Sequence, residues 1–161
     1  VAVDALDFHD CPLPLFDPKQ AWGRPEYQDL KERVLKADVI VLGTPDYHGS
    51  ISSTLKNFLD HFWKEFAGKL FVTIVASHEK GLTVHDQLRT VARQCYAWVM
   101  PYGVSLQEKQ DVIDGEVTSN ALKSRLEMLA RDIRVYGGLL AGQRVADLAG
   151  DEPGLMAAYR K

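Results

Sequence analysis

The sequence predicts an α/β fold: a doubly wound parallel sheet with helices on both faces, in three layers. Three observations predict it. Apolar, strand-like runs alternate along the chain with amphipathic helical stretches, the ordering of βαβ units. Residues 38–43 (DVIVLG) and 70–76 (LFVTIVA) are apolar at nearly every position, as in parallel strands covered on both faces. The 161 residues, 46% hydrophobic and 25% charged, suit one domain with a sizeable core.

Each element has its own signal. Residues 1–6 (VAVDAL) read as a strand, and a loop rich in proline follows as far as Pro25. Tyr27, Leu30 and Val34 fall at helical spacing within residues 26–36, with Leu35 beside them. Strand 38–43 leads into the stretch 44–58, TPDYHGSISSTLKNF. Leu55, Phe58, Leu59, Phe62, Trp63 and Phe66 then form one wide apolar stripe, which predicts a helix capped by Ser52 or Ser53 and ended by Gly68. Its aromatic side chains are expected in the core, with the outer part available to a subunit interface. Strand 70–76 is followed by the loop SHEKGLT and a helix carrying Val84, Leu88, Val91, Ala92 and Cys95, with Thr83 as cap. Residues 99–106 (VMPYGVSL) read as a last strand, which Pro101 and Gly103 place near an edge or a bend. Thr118 is expected to cap a long helix through about Leu140, its stripe being Leu122, Leu126, Leu129 and Ile133. Residues 141–161 are left as a weakly patterned tail of the single domain 1–161.

Composition narrows the function classes. A net charge of −3 with dispersed basic residues argues against nucleic acid or an anionic membrane surface as partner. No apolar run approaches the roughly 20 residues needed to cross a bilayer. Cys11 and Cys95 lie far apart and outside any CxxC, so free, mostly buried thiols and a cytoplasmic setting are expected. His9, Asp10 and Cys11 cluster without a second ligand group, which does not make a metal site. His61 reads as a structural histidine among apolar neighbours, and His85 as a surface residue of a first helical turn.

Right-handed crossovers place the loops TPDYHGSIS and SHEKGLT along one sheet edge, beyond the carboxyl ends of the strands, where such sheets bind ligands. Pro45 stiffens the exit from its strand and Gly49 permits unusual backbone shapes. The amides of Asp46, Tyr47, His48 and Gly49 precede a helix start, where donors lack intrahelical partners. Beside an aromatic ring, such donors suit a flat heteroaromatic ligand. A well-capped turn with no ligand explains the same residues.

TPDYHGSISSTLKNFLDHF closely resembles the T-P-E-Y-N-x-S-x-x-x-x-L-K-N-x-x-D signature of the NADPH-dependent FMN reductases, a flavodoxin-like family of flavin, quinone, chromate and azo-dye reductases. Thr44, Pro45, Tyr47, Ser50, Leu55, Lys56, Asn57 and Asp60 match, while Asp46 stands for glutamate and His48 for asparagine. The resemblance implies a flavodoxin-like sheet and bound FMN reduced by NADPH or NADH. It implies Pro45, Asp46, Tyr47, His48, Gly49 and Ser50 around the flavin ring. Ser77, His78, Lys80 and Gly81 would lie at its pyrimidine end, in a loop whose usual paired glycines are reduced to Gly81. Lys80 is expected either near N1/O2, where reduced flavin is negative, or as a solvated surface lysine. A small-molecule electron acceptor and a homodimer or homotetramer are implied as partners. No catalytic acid or base is named, because the cofactor carries the redox chemistry.

The family's phosphate loop, G-S-x-R-x-x-S after its first strand, finds no match. Residues 1–6 align best with the second strand, so a leading βα unit of about 30 to 40 residues is expected upstream. Two rival functions stand beside the reductase. One is a flavodoxin-type electron carrier, which a charge of only −3 does not favour. The other is a flavin-free binding or scaffold module.

Overall fold

The computed structural model describes residues 1–160. Its main sheet is parallel and strand-poor. Strand β1 (Val39–Pro45) pairs in register with β2 (Leu70–Ala76) along its whole length. The other edge of β2 takes β3 (Trp98–Val99) at its start and β4 (Val104–Leu106) at its end. The single strand expected over 99–106 is thus split where Pro101 and Gly103 fall, since proline has no N–H to give the ladder.

Helices cover the sheet from both sides. Helix α1 (Pro25–Lys36) has proline in its first turn and buries Tyr27, Leu30 and Val34, as its spacing predicts. With α2 (Ser53–Asp60) and α3 (Leu82–Gln94) it packs on Ile40, Leu42, Phe71 and Val75. The opposite face, including Leu70, Val72 and Val104, is covered by Leu122 and Leu129 of α4 (Asn120–Asp132). Strand β2 therefore buries both faces, as its uniform apolarity requires.

Several boundaries differ from expectation. Helix α2 stops at Asp60, six residues before its stripe ends, and a separate short turn carries Phe66. His61 accounts for the stop. Its Nδ1 is 2.7 Å from the Asn57 carbonyl, while its own N–H turns to Phe58 O at 3.1 Å. Phe58, Phe62 and Phe66 still reach the core, whereas Trp63 is half exposed and its indole N–H donates to Gln94 O. Helix α4 is capped by Ser119 rather than Thr118. A π turn over Ile133–Gly137 carries it on into α5 (Gly138–Ala149), so the expected tail is largely helical. Between β4 and α4, a hairpin of β5 (Val112–Ile113) and β6 (Glu116–Val117) turns on Asp114 and Gly115, both at positive φ. That is the Asp-Gly signal of a tight hairpin. Cys11 is exposed and only Cys95 is buried, because residues 7–11 form a surface turn.

The largest departure concerns β1 and residues 1–6. The latter form no strand and are instead tethered by Arg33, whose guanidinium donates to the Asp4 carboxylate at 2.6 and 2.9 Å and to Ala5 O at 2.9 Å. Among the described residues no strand pairs with the outer edge of β1. Its second face is also bare: Val41 is 48% exposed, against 3% for its neighbour Leu42. A groove of about 1000 Å³ has residues 4–9 and β1 among its walls. One buried cation escaped the sequence altogether. Lys69 is 1% exposed and its ammonium donates to the carbonyls of Leu35 and Ala37 at the end of α1. Burial pushes its pKa down to about 8.

Candidate functional site

Two corners meet at the carboxyl end of the sheet. The first, after β1, is a self-contained turn. Tyr47 N–H donates to Ser50 O at 3.0 Å and Ser50 N–H to Tyr47 O at 3.1 Å. The residues between, His48 and Gly49, both have positive φ, 59° and 74°. That pairing makes a primed hairpin turn, which requires left-handed backbone at both central positions and favours asparagine then glycine. Histidine stands at the first of them, a residue that enters the left-handed region more readily than most non-glycine residues.

The rest of the signature builds this corner. Thr44 Oγ1 accepts from Ser52 N–H at 3.1 Å, and Ser52 Oγ caps α2 by accepting from Leu55 N–H at 3.2 Å. Asn57 accepts from Phe16 N–H at 2.8 Å and donates to Leu13 O and Pro14 O, which holds the LPLF segment on the helix. Lys56 and Asp60 pair at 2.6 Å, four residues apart. Asp46 joins the two corners: one carboxylate oxygen accepts from Gly49 N–H at 2.8 Å, the other from Ser77 Oγ at 2.9 Å.

This wiring corrects the expectation of four outward-facing amides. Asp46 N–H extends the sheet to Ala76 O at 2.7 Å, Tyr47 N–H closes the turn and Gly49 N–H meets Asp46. His48 alone of the four keeps its amide out of this network. The Ser50 hydroxyl is also bonded within the protein, donating to Gln87 Oε1 at 3.1 Å. Gln87, on α3, also accepts from Ile51 N–H at 3.2 Å and donates to Gly49 O at 3.3 Å. The sequence offered no sign of this clamp beyond a polar residue beside the buried Leu88.

The second corner is built differently. Helix α3 starts at Leu82, with Gly81 in left-handed conformation (φ 57°) as its cap and no side chain on its first amides. Thr83 lies inside the first turn, so it is not the cap. The N–H groups of Leu82 and Thr83 are therefore open at the positive end of the helix. A Cβ on Gly81 would collide with Val75. The loop is held from β4 and the residue beyond it: Ser105 Oγ donates to Lys80 O at 2.5 Å, and the Gln107 side-chain amide donates to His78 O. His85 is not on the surface. It is 8% exposed, with Nδ1 2.8 Å from Thr73 Oγ1 and Nε2 3.1 Å from Ser105 Oγ. Burial first, then the Arg89 and Arg125 charges, hold its pKa below the ordinary histidine value against the opposing effect of Asp86.

The corners frame a slot of about 810 Å³, a size suited to a small cofactor. Of the predicted site residues, Asp46, Gly49, Ser77, His78, Lys80 and Gly81 line it, joined by Glu79, Leu82, Thr83 and Gln107. Pro45 and Tyr47 line the end of the groove beside β1 instead, and His48 and Ser50 line neither. The first corner is thus a ridge between two concavities. Tyr47, 61% exposed, stands on it with its ring free for stacking.

A family model described as NADPH-dependent FMN reductase matches residues 1–111. The chain belongs to that family. An FMN-dependent NADPH-azoreductase of Staphylococcus aureus (strain USA300) is 62% identical over 59 residues, which are 37% of this chain and 29% of that protein. One of Staphylococcus haemolyticus is 44% identical over 64 residues, 37% of this chain and 34% of that protein. The matches thus span about a third of these relatives' length. Among solved structures, an NADH:FMN oxidoreductase in its apo form superposes with a TM-score of 0.63 at 20% identity, covering 75% of this chain and 67% of that one. The FerB NAD(P)H:(acceptor) oxidoreductase of Paracoccus denitrificans gives 0.54 at 18%, covering 84% and 76%. At such identities the likeness concerns the fold. Like a WrbA-like flavodoxin of Agrobacterium tumefaciens (TM-score 0.51), these neighbours place the family member's three layers in a flavodoxin-like fold.

Proposed function

We propose that the protein is an FMN-dependent NAD(P)H oxidoreductase whose flavin ring lies in the slot between the two corners. The observation that carries this reading is the open start of α3, uncapped and facing a slot. The donor set fits the ring. The amides of Gly81, Leu82 and Thr83 suit its electron-rich carbonyl edge, and Lys80 adds positive charge on the same side. Asp46 and Gly49 line the same slot from the first corner. The phosphate is a different matter, because the described residues form no site for it.

Bound FMN supplies the chemistry: hydride from NADPH or NADH, then reduction of a flavin, quinone, azo compound or metal oxyanion. The protein's part is to hold the ring by main-chain donors and leave one face open, so no side chain is required as acid or base. The azoreductase relatives support an azo acceptor. The unpaired thiols support a reducing compartment such as the cytoplasm. Among the described residues no helix is long and apolar enough to cross a membrane. The family resemblance is what suggests a homodimer or homotetramer.

The test is spectroscopic. Purified protein supplied with FMN should retain yellow colour through desalting, and anaerobic NADPH should bleach it. Protein that stays colourless at excess FMN contradicts the reading and favours a flavin-free module.

A further inference from the structure

We infer that His85 is a positioning residue for the slot: through Ser105 it fixes the Lys80–Gly81 peptide so that the Gly81 N–H faces the ligand. The identity of that ligand rests on the flavin reading above; the relay itself does not.

Hydrogen-bond chemistry fixes the direction of every link. The Lys80 carbonyl only accepts, so the single hydroxyl hydrogen of Ser105 is directed to it over 2.5 Å. Ser105 Oγ then accepts from His85 Nε2 at 3.1 Å, which places the imidazole hydrogen on Nε2. Nδ1 is left with a lone pair and accepts from Thr73 Oγ1 at 2.8 Å. The chain runs one way, from the Thr73 hydroxyl through the ring and Ser105 to the Lys80 carbonyl. It fits only a neutral ring in one tautomer.

Space and geometry carry the effect to the slot. Thr73 and His85 are buried, and a Cβ on Gly103 would collide with both the His85 ring and the Thr73 hydroxyl. The absence of that Cβ lets the ring bridge β2 and β4. Among the described residues no peptide bond is cis. In a planar trans peptide the C=O and N–H point to opposite sides. Anchoring the Lys80 carbonyl on Ser105 therefore turns the Gly81 N–H away from β4, alongside the open amides of Leu82 and Thr83.

Protonating the ring would put a hydrogen on Nδ1, against the Thr73 hydroxyl. That hydroxyl would have to reverse in a buried site. Arg89 from α3 and Arg125 from α4 add like charge around the ring, while Asp86 opposes them. The neutral relay is thus the form expected across the physiological range.

The experiment has two readouts on the full chain. Nitrogen-15 NMR of the His85 ring should show Nε2 protonated and Nδ1 unprotonated at pH 8, and a protonated Nδ1 there overturns the relay. FMN affinity, read by flavin fluorescence, should fall about tenfold in Ser105→Ala, the size of one lost hydrogen bond. Ser105→Thr, which keeps a hydroxyl, should restore most of it. A Ser105→Ala chain that binds FMN like the parent overturns the positioning role. A parent that binds no FMN overturns the flavin reading instead, and the ring nitrogens still decide the relay.

Discussion

The two corners at the carboxyl end of the sheet solve opposite problems. The one after β1 carries nearly all of the recognisable signature, yet it commits its polar groups to building itself. Tyr47, Gly49, Ser50, Ser52, Thr44 and Asn57 are all bonded within the protein. The corner after β2 is plain in sequence, but it leaves a helix start uncapped at the slot. A dense motif can therefore mark the scaffold of a site more than its donors. The open amides lie where one glycine is left of the usual pair.

The largest test of this division is Asp46→Ala. Its carboxylate is the direct tie between the corners, and hydrogen bonds to a charged group stabilise by about 2 kcal/mol. Urea unfolding should lose about that much, and an unchanged midpoint would show the corners to be independent. Gln87→Ala comes next. Losing the clamp on Gly49, Ser50 and Ile51 should cost about 1 kcal/mol and weaken FMN binding, because the Tyr47 ridge is then loose. An FMN titration beside the unfolding curve separates the two effects.

The second corner should respond to pH. The His85 pKa is lowered on folding, so below about 6.5 the unfolded chain binds more protons than the folded one. Stability should accordingly fall as pH drops below 6.5. His85→Gln should flatten that slope, and a slope unchanged by the substitution would put its origin elsewhere. The smallest effect is a gain. His48→Asn puts a residue at ease with left-handed backbone at the first turn position and should add about 0.5 kcal/mol, with melting temperature as the check.

Much of this was legible in the sequence, for physical reasons. Strand β2 and helices α1 and α3 declared themselves because their periodicity matches the faces they bury. The meeting of the two corners at one end of the sheet followed from the direction of strand-to-helix crossovers. Other features were hidden because they depend on contacts distant in sequence. His85 looks exposed beside Asp86, and only the approach of Thr73, Gly103 and Ser105 makes it buried. Lys69 carried no signal in the sequence, and only its approach to the end of α1 makes it a buried, bonded cation. The stripe from Leu55 to Phe66 promises one helix, since periodicity cannot show a histidine ring competing for the Asn57 carbonyl. Strand β1 has the composition of a central strand and lies at an edge, and its bare Val41 records the mismatch.

The central claim is that a flat ring sits against the open start of α3. Amide NMR during titration with lumiflavin, the flavin ring without its phosphate chain, tests it most directly. The account predicts the largest shifts at Gly81, Leu82 and Thr83, with a smaller one at Gly49, whose N–H is already bonded. Shifts confined to residues 39–43 along the β1 groove, or none at saturating ligand, would contradict it.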